Sequence, residues 1–115
     1  MLLYQDLLNL NQIVCSKNKQ KSIVINENNL KSALGVQQWY ENIEEKACAL
    51  FRSLIIAHGF QDGNKRTAVL ALVSICPPQI SQEDIAVVAI MVATGEMKEI
   101  EDIRFALFPN TINGD

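Results

Sequence analysis

Between residues 58 and 66 the chain reads His58-Gly59-Phe60-Gln61-Asp62-Gly63-Asn64-Lys65-Arg66, and most of these positions carry a group that can react or bind. His58 is the only histidine in the chain. An imidazole can take a proton from an incoming hydroxyl near neutral pH. Asp62 offers a hard oxygen ligand of the kind that holds magnesium together with substrate phosphates. Gly63 permits positive φ and lets a ligand approach the backbone. A helix starting at Asn64 or Lys65 would present unpaired N–H groups and a partial positive charge, which together make an anion site. Lys65 and Arg66 fall in its first turn, where cations oppose the macrodipole at roughly 0.3–1 kcal/mol each. A bound polyphosphate would offset that cost. Two readings follow from the residues alone. One is a nucleotide-dependent transferase with base, metal ligand, anion nest and two phosphate-binding cations; the other is a mixed-charge surface turn around a core histidine.

The flanking patterns say what positions this segment. Ile43, Ala47, Leu50, Phe51, Leu54 and Ile55 form one helical stripe that predicts a helix from about Ile43 to His58. Asn42 and Glu45 have the form of a capping box at its start. His58 continues the stripe and is expected to point inward. The following helix, to Cys76, is apolar on nearly every side, which predicts a place at the centre of a bundle, and Pro77-Pro78 ends it. Upstream, residues 2 to 15 predict an amphipathic helix and 16 to 22 a loop. Ile23-Val24-Ile25 reads as an extended connector or one strand of a tiny hairpin. Asn28 or Asn29 can cap a short helix that Gly35 stops. Downstream, Ser81 can cap a helix closed by Gly95, with Glu83 and Asp84 suiting its positive end. A last helix, about Lys98 to Phe108, is expected to bury Ile100, Ile103, Phe105 and Leu107 or Phe108. The fold class is therefore all-α: one domain over residues 1–115, with five to six helices, a possible small flap and a frayed end over 110–115.

Bulk properties narrow the field. Hydrophobic residues make up 49% and charged ones 20%, a globular balance rather than a disordered one. The net charge of −3 lacks the basic excess of a duplex binder, so no direct nucleic-acid binding is expected. Lys17, Lys19 and Lys21 read as a solvated loop. The three cysteines, Cys15, Cys48 and Cys76, are far apart and odd in number, which gives no disulfide framework. The start, Met1-Leu2-Leu3-Tyr4-Gln5-Asp6, lacks the basic region of a signal peptide. The longest apolar run, Ala68 to Pro78, is broken by Ser74 and too short to span a bilayer. A cytoplasmic protein is expected, with no membrane partner.

The segment His58-x-Phe60-x-Asp62-Gly63-Asn64-Lys65-Arg66 resembles the Fic/Doc signature, His-x-Phe-x-Asp/Glu-Gly/Ala-Asn-Gly/Lys-Arg. Leu30-Lys31-Ser32-Ala33-Leu34, Gln37-Gln38, Glu45-Lys46-Ala47, Thr67-Ala68 and Ala93-Thr94-Gly95-Glu96 resemble blocks of the family's Doc-like (death-on-curing) branch. The resemblance implies transfer of part of a nucleotide to a protein hydroxyl. It makes His58 the base on the acceptor Ser, Thr or Tyr, Phe60 the anchor of the loop, and Asp62 the Mg²⁺ ligand. Gly63 and Asn64 become the phosphate nest, with Lys65 and Arg66 on phosphate oxygens and ATP or another nucleoside triphosphate as substrate. The segment Val36, Gln37, Gln38, Trp39, Tyr40 is expected to act as the flap that lines up the target, though Trp39 and Tyr40 can equally be a half-buried pair covering the core.

The departures from the family pattern have direction. Gly59 stands where Fic proteins usually carry Pro, which predicts a looser loop. Ile25-Asn26-Glu27-Asn28 lacks the Gly-x-Arg-Asp of many Doc-like chains. Lys65 replaces the Gly of AMP-transferring members, and Val69 replaces their second Arg. Both changes resemble the Doc side, which implies a phosphoryl-transferring toxin, with the translation machinery as the expected place of its target. AMP transfer (AMPylation) by the same residues is the alternative, and a non-catalytic partner-binding module is the alternative of another class. No Ser or Thr starts the Ser/Thr-x-x-x-Glu-Gly/Asn pattern of self-inhibiting Fic proteins. Restraint is therefore expected in trans, from an antitoxin.

Overall fold

Helix α1, Tyr4–Lys17, begins where the Asp6 carboxylate accepts the Leu3 N–H at 2.9 Å, and it buries Leu7, Asn11, Val14 and Cys15. The structure, a computed structural model, describes residues 1–110; of the 110–115 stretch expected to fray, all but residue 110 lies outside the described residues. Five further α-helices follow: α2 Glu27–Gly35, α3 Ile43–Ala57, α4 Asn64–Ile75, α5 Gln82–Thr94 and α6 Ile100–Leu107. A single 3₁₀ turn, Val36–Trp39, sits between α2 and α3. The all-α expectation holds among the described residues. No helix there is long and apolar enough to cross a membrane.

Local signals set most of the boundaries. The Asn42 side chain accepts the Glu45 N–H at 3.0 Å, Ser81 accepts that of Asp84 at 3.2 Å, and Gly95 ends α5 at φ 84°. Two expectations needed correction. α2 is capped by Asn26, which accepts the Asn29 N–H at 2.9 Å, rather than by Asn28 or Asn29. Gly35 stays in the right-handed region, and the chain continues into the 3₁₀ turn instead of stopping there.

Helix α3 is the best-enclosed element, packing on α2, α4, α5, α6 and the 3₁₀ turn. Ala47, Cys48, Leu50, Phe51, Leu54 and Ile55 are buried on it, while Ile43 is exposed. Burial, aided by the neighbouring Glu44 carboxylate, pushes the Cys48 thiol up to about 12, which leaves it inert at neutral pH. Helix α4 lies between α1, α3 and α5 but is not covered all round, since Val73 reaches solvent. On α6, Ile103 and Leu107 share the buried face four residues apart, and Phe108 is buried just beyond. Phe105, two positions from Ile103, therefore points away from the core and is exposed, contrary to expectation. An ion pair at 2.9 Å from Arg104 to Glu44 ties α6 to α3.

Candidate active site

Helix α3 ends at Ala57, and His58 leaves it in the left-handed region at φ 46°, ψ 49°. The expectation of an inward-facing helical histidine is corrected: one left-handed residue turns the side chain out, and His58 is exposed. Left-handed backbone on a residue other than Gly is uncommon and carries some strain, and such strain gathers at functional sites. Here the flanking carbonyls hold it in place. Asn29 Nδ2 donates to the Ala57 carbonyl at 3.1 Å, and the Ile25 and Asn26 N–H groups donate to the Gly59 carbonyl at 2.8 and 3.1 Å. The residue between those carbonyls has little freedom to relax.

The loop itself is pinned on three sides. Phe60 is buried, as expected of an anchor, and bridges antiparallel to Val24. The Gln61 N–H donates to the Ile23 carbonyl at 2.9 Å, completing the pairing with residues 23–25. A methyl group at Gly59 would overlap Leu30 of α2. Glycine therefore lets α2 press on the loop, and the expected loosening is replaced by tight packing. At Gly63, φ is 76°, and an added Cβ would lie 2.8 Å from Val14 of α1. No other residue fits that position without strain.

Asn64 proves to be the organiser of the loop. Its Oδ1 accepts the Phe60 N–H at 3.0 Å and its Nδ2 donates to the Phe60 carbonyl at 2.7 Å. That pairing identifies the two amide atoms, so the Nδ2 lying 3.4 Å from His58 Nδ1 acts as a donor. A contact that long is too weak to lock the imidazole in one tautomer. The other ring nitrogen, Nε2, has no protein partner among the described residues; it can receive a substrate proton in the tautomer that carries hydrogen on Nδ1 and gives up the weak Asn64 contact. Because its side chain is occupied, Asn64 can meet an anion only through its backbone N–H.

Helix α4 starts without a side-chain cap. Its first internal bond runs from the Thr67 N–H to the Gly63 carbonyl at 2.9 Å, which leaves the N–H groups of residues 64–66 pointing out of the helix start. They border a polar cavity of about 540 Å³ that residues 62–66 share with Asn18 and Gln20. Lys65 and Arg66 are exposed on its rim and form no ion pair among the described residues. Asp62 is half-exposed on the same wall. No cluster of three metal-ligating side chains occurs among the described residues. One carboxylate on the lining of a polar cavity would fit magnesium carried in with a nucleotide rather than a cation held by protein alone.

Four contributors escaped the sequence reading. Asn11 of α1 is fully buried; its Nδ2 donates to the Asp62 carbonyl and to Thr67 Oγ1, each at 3.0 Å, and its Oδ1 accepts from Ser22 Oγ. Its signal was visible in principle: a polar residue midway between Leu7 and Val14 on the buried stripe. Ser22 and Thr67 complete that network. The connector at residues 23–25 pairs with the loop, and the segment expected as a flap does not. Gln37 is buried and holds Leu2, accepting its N–H at 2.8 Å and donating to its carbonyl at 2.9 Å. Val36 belongs to the 3₁₀ turn, Gln38 and Trp39 are exposed, and Tyr40 is half-buried, so Trp39 does not cover the core.

Beside the cavity, an apolar groove of about 360 Å³ runs between α1, α4 and α5, past Ile13, Val69, Val73 and Ile85. Asn18 and Arg66 line both spaces.

The described residues are all-helical outside their loops and place a left-handed histidine near an uncapped helix start. A model of the Fic/DOC family matches residues 2–76, and the chain belongs to that family, whose members are protein-modifying transferases of nucleotidyl or phosphoryl groups. No curated protein and no solved structure matches the chain.

Proposed function

We propose that this protein is a Doc-like, Mg²⁺-dependent kinase that moves the γ-phosphoryl group of ATP, or another nucleoside triphosphate, to a Ser, Thr or Tyr hydroxyl of a target protein. The observation that carries the kinase reading is the charge layout at the start of α4. Lys65 and Arg66 both stand at the phosphate cavity, whereas Val69, one turn on, faces the apolar groove. A site with Lys65 in the space after Asn64 and no second guanidinium along the helix has nothing to clamp the outer phosphates beyond the first turn. The best charge pairing then puts the γ-phosphate beside His58 and the Asp62-bound metal. In this reading His58 Nε2 takes the acceptor proton, and the N–H groups of residues 64–66 with Lys65 and Arg66 take the developing phosphate charge. Asp62 would hold Mg²⁺, which neutralises phosphate charge when bound. Phosphoryl transfer depends mainly on such alignment and neutralisation, so reversing the nucleotide changes the reaction without changing the base.

The target is brought in along residues 23–25. Their pairing with the loop leaves the Val24 N–H and carbonyl directed away from it, an open strand edge next to His58. This edge replaces residues 36–40 as the proposed flap. We assign the protein a cytoplasmic role as the toxin of a toxin–antitoxin pair acting on the translation machinery, with restraint in trans by an antitoxin segment that orders on binding.

The test supplies ATP labelled at the α- or the γ-phosphate together with a susceptible cell extract. Label entering protein from the γ position only, and lost in His58→Ala, is the expected result. Entry from the α position replaces the reading with AMP transfer. Entry from neither, with no MgATP binding, leaves a partner-binding module.

A further inference from the structure

We propose that Gln20, outside the 58–66 segment, is a further nucleotide-binding residue whose carboxamide donates to the polyphosphate from the loop that follows α1, at the cavity it shares with Lys65 and Arg66. The inference rests on the reading of the cavity as a phosphate site, and it adds a residue that the chemistry of the motif does not call for. The sequence presents residues 17–21 as a solvated basic loop, but the structure brings Gln20 to the same cavity as residues 62–66.

Its backbone is fixed there. The Gln20 N–H donates to the Cys15 carbonyl at 2.8 Å and the Lys19 N–H to the Ser16 carbonyl at 3.1 Å, a Schellman-type end to α1. Lys19 takes the left-handed position at φ 56°, where glycine is usual. Two residues on, the Ser22 hydroxyl is bound to Asn11, the residue that also holds the Asp62 carbonyl. The loop and the motif thus hang from one buried side chain, which keeps the two cavity walls in register. Asn18, the other residue on this wall, has its Nδ2 committed to the Val14 carbonyl at 3.1 Å. The Gln20 carboxamide has no protein partner among the described residues. It is a neutral donor on the lining of a space bordered by two cations and one carboxylate. A phosphate oxygen satisfies it, and the contact adds no charge to the site.

Its neighbours Lys19 and Lys21 supply the competing explanation, a diffuse attraction of the loop for anions. Salt separates the two, because screening removes long-range attraction and leaves a direct hydrogen bond. The experiment titrates the full chain with MgATP and with magnesium tripolyphosphate at low and high salt, comparing Gln20→Ala, Lys19→Gln and Arg66→Ala with the parent. Gln20 is exposed, so the variant should melt with the parent. A hydrogen bond to a charged group corresponds to about a tenfold change in affinity. Gln20→Ala should weaken both probes by about that factor at both salt concentrations, while Lys19→Gln should act only at low salt. Unchanged affinity in Gln20→Ala beside weakened binding in Arg66→Ala overturns the role of Gln20 alone. A loss for MgATP without one for tripolyphosphate also overturns it, because the contact would then not be to phosphate. Binding that Arg66→Ala leaves intact, or no binding by the parent, instead overturns the phosphate-site reading beneath it.

Discussion

His58 carries a cost that its chemistry must justify. At φ 46° a histidine sits where an L side chain crowds its own carbonyl, at about 1–2 kcal/mol. Glycine at this position would escape that crowding but lose the imidazole. His58→Gly is therefore predicted to stabilise the fold by up to about 1 kcal/mol in urea unfolding while abolishing transfer. Parent-like stability with retained transfer would mean that neither the strain nor the ring is used as argued. The residues of the candidate site stand together in one contiguous motif, but their types and spacing alone leave two readings, and it is the resemblance to the Fic/Doc signature that assigns each a role. The direction of His58 was not legible in the sequence. A helical stripe extrapolated by one residue points inward, and the single left-handed step that reverses it is fixed by Asn29, Ile25 and Asn26, about thirty residues upstream.

At the scale of elements, the loop is shaped by what presses on it: α2 against Gly59, α1 against Gly63, and residues 23–25 along its edge. The helices themselves were readable because Asn42, Ser81 and Gly95 mark their ends locally. The strut from α1 was less so, since Asn11 meets Asp62 and Thr67 across 51 and 56 residues of sequence, and no local pattern announces such a partner. Removing it has a separable effect. Asn11→Ala leaves the Thr67 hydroxyl and the Asp62 carbonyl without their donor, at about 1–3 kcal/mol of stability. It also frees residues 18–22 from the motif, so MgATP affinity should fall in the fraction that remains folded. Calorimetry below the melting range, with the unfolding curve as reference, checks both. An affinity equal to the parent's would show that the strut serves packing only.

Across the whole molecule, labour is divided along the chain. Every group placed at the candidate site lies between residues 11 and 67, and the family match ends at residue 76. Helix α5 packs on α3 and α4, α6 packs on α3, and the two pack on each other. Ile103, fully buried on α6, tests the division. Ile103→Ala should cost about 2–5 kcal/mol through the cavity it leaves, with MgATP affinity of the folded protein unchanged when measured well below its melting temperature. A matching fall in affinity would tie α6 to the site. If the division holds, the two parts of the chain drift under different rules. Up to α4, a substitution has to satisfy hydrogen bonds, backbone sign and close approach together, so few alternatives survive. Beyond Pro77-Pro78, apart from the Ser81 cap, the left-handed Gly95 and the Arg104–Glu44 pair, it has mainly to keep an apolar face of about the right volume toward α3. Among descendants of this chain, the second region is where sequences should diverge first and furthest, without any change in the reaction.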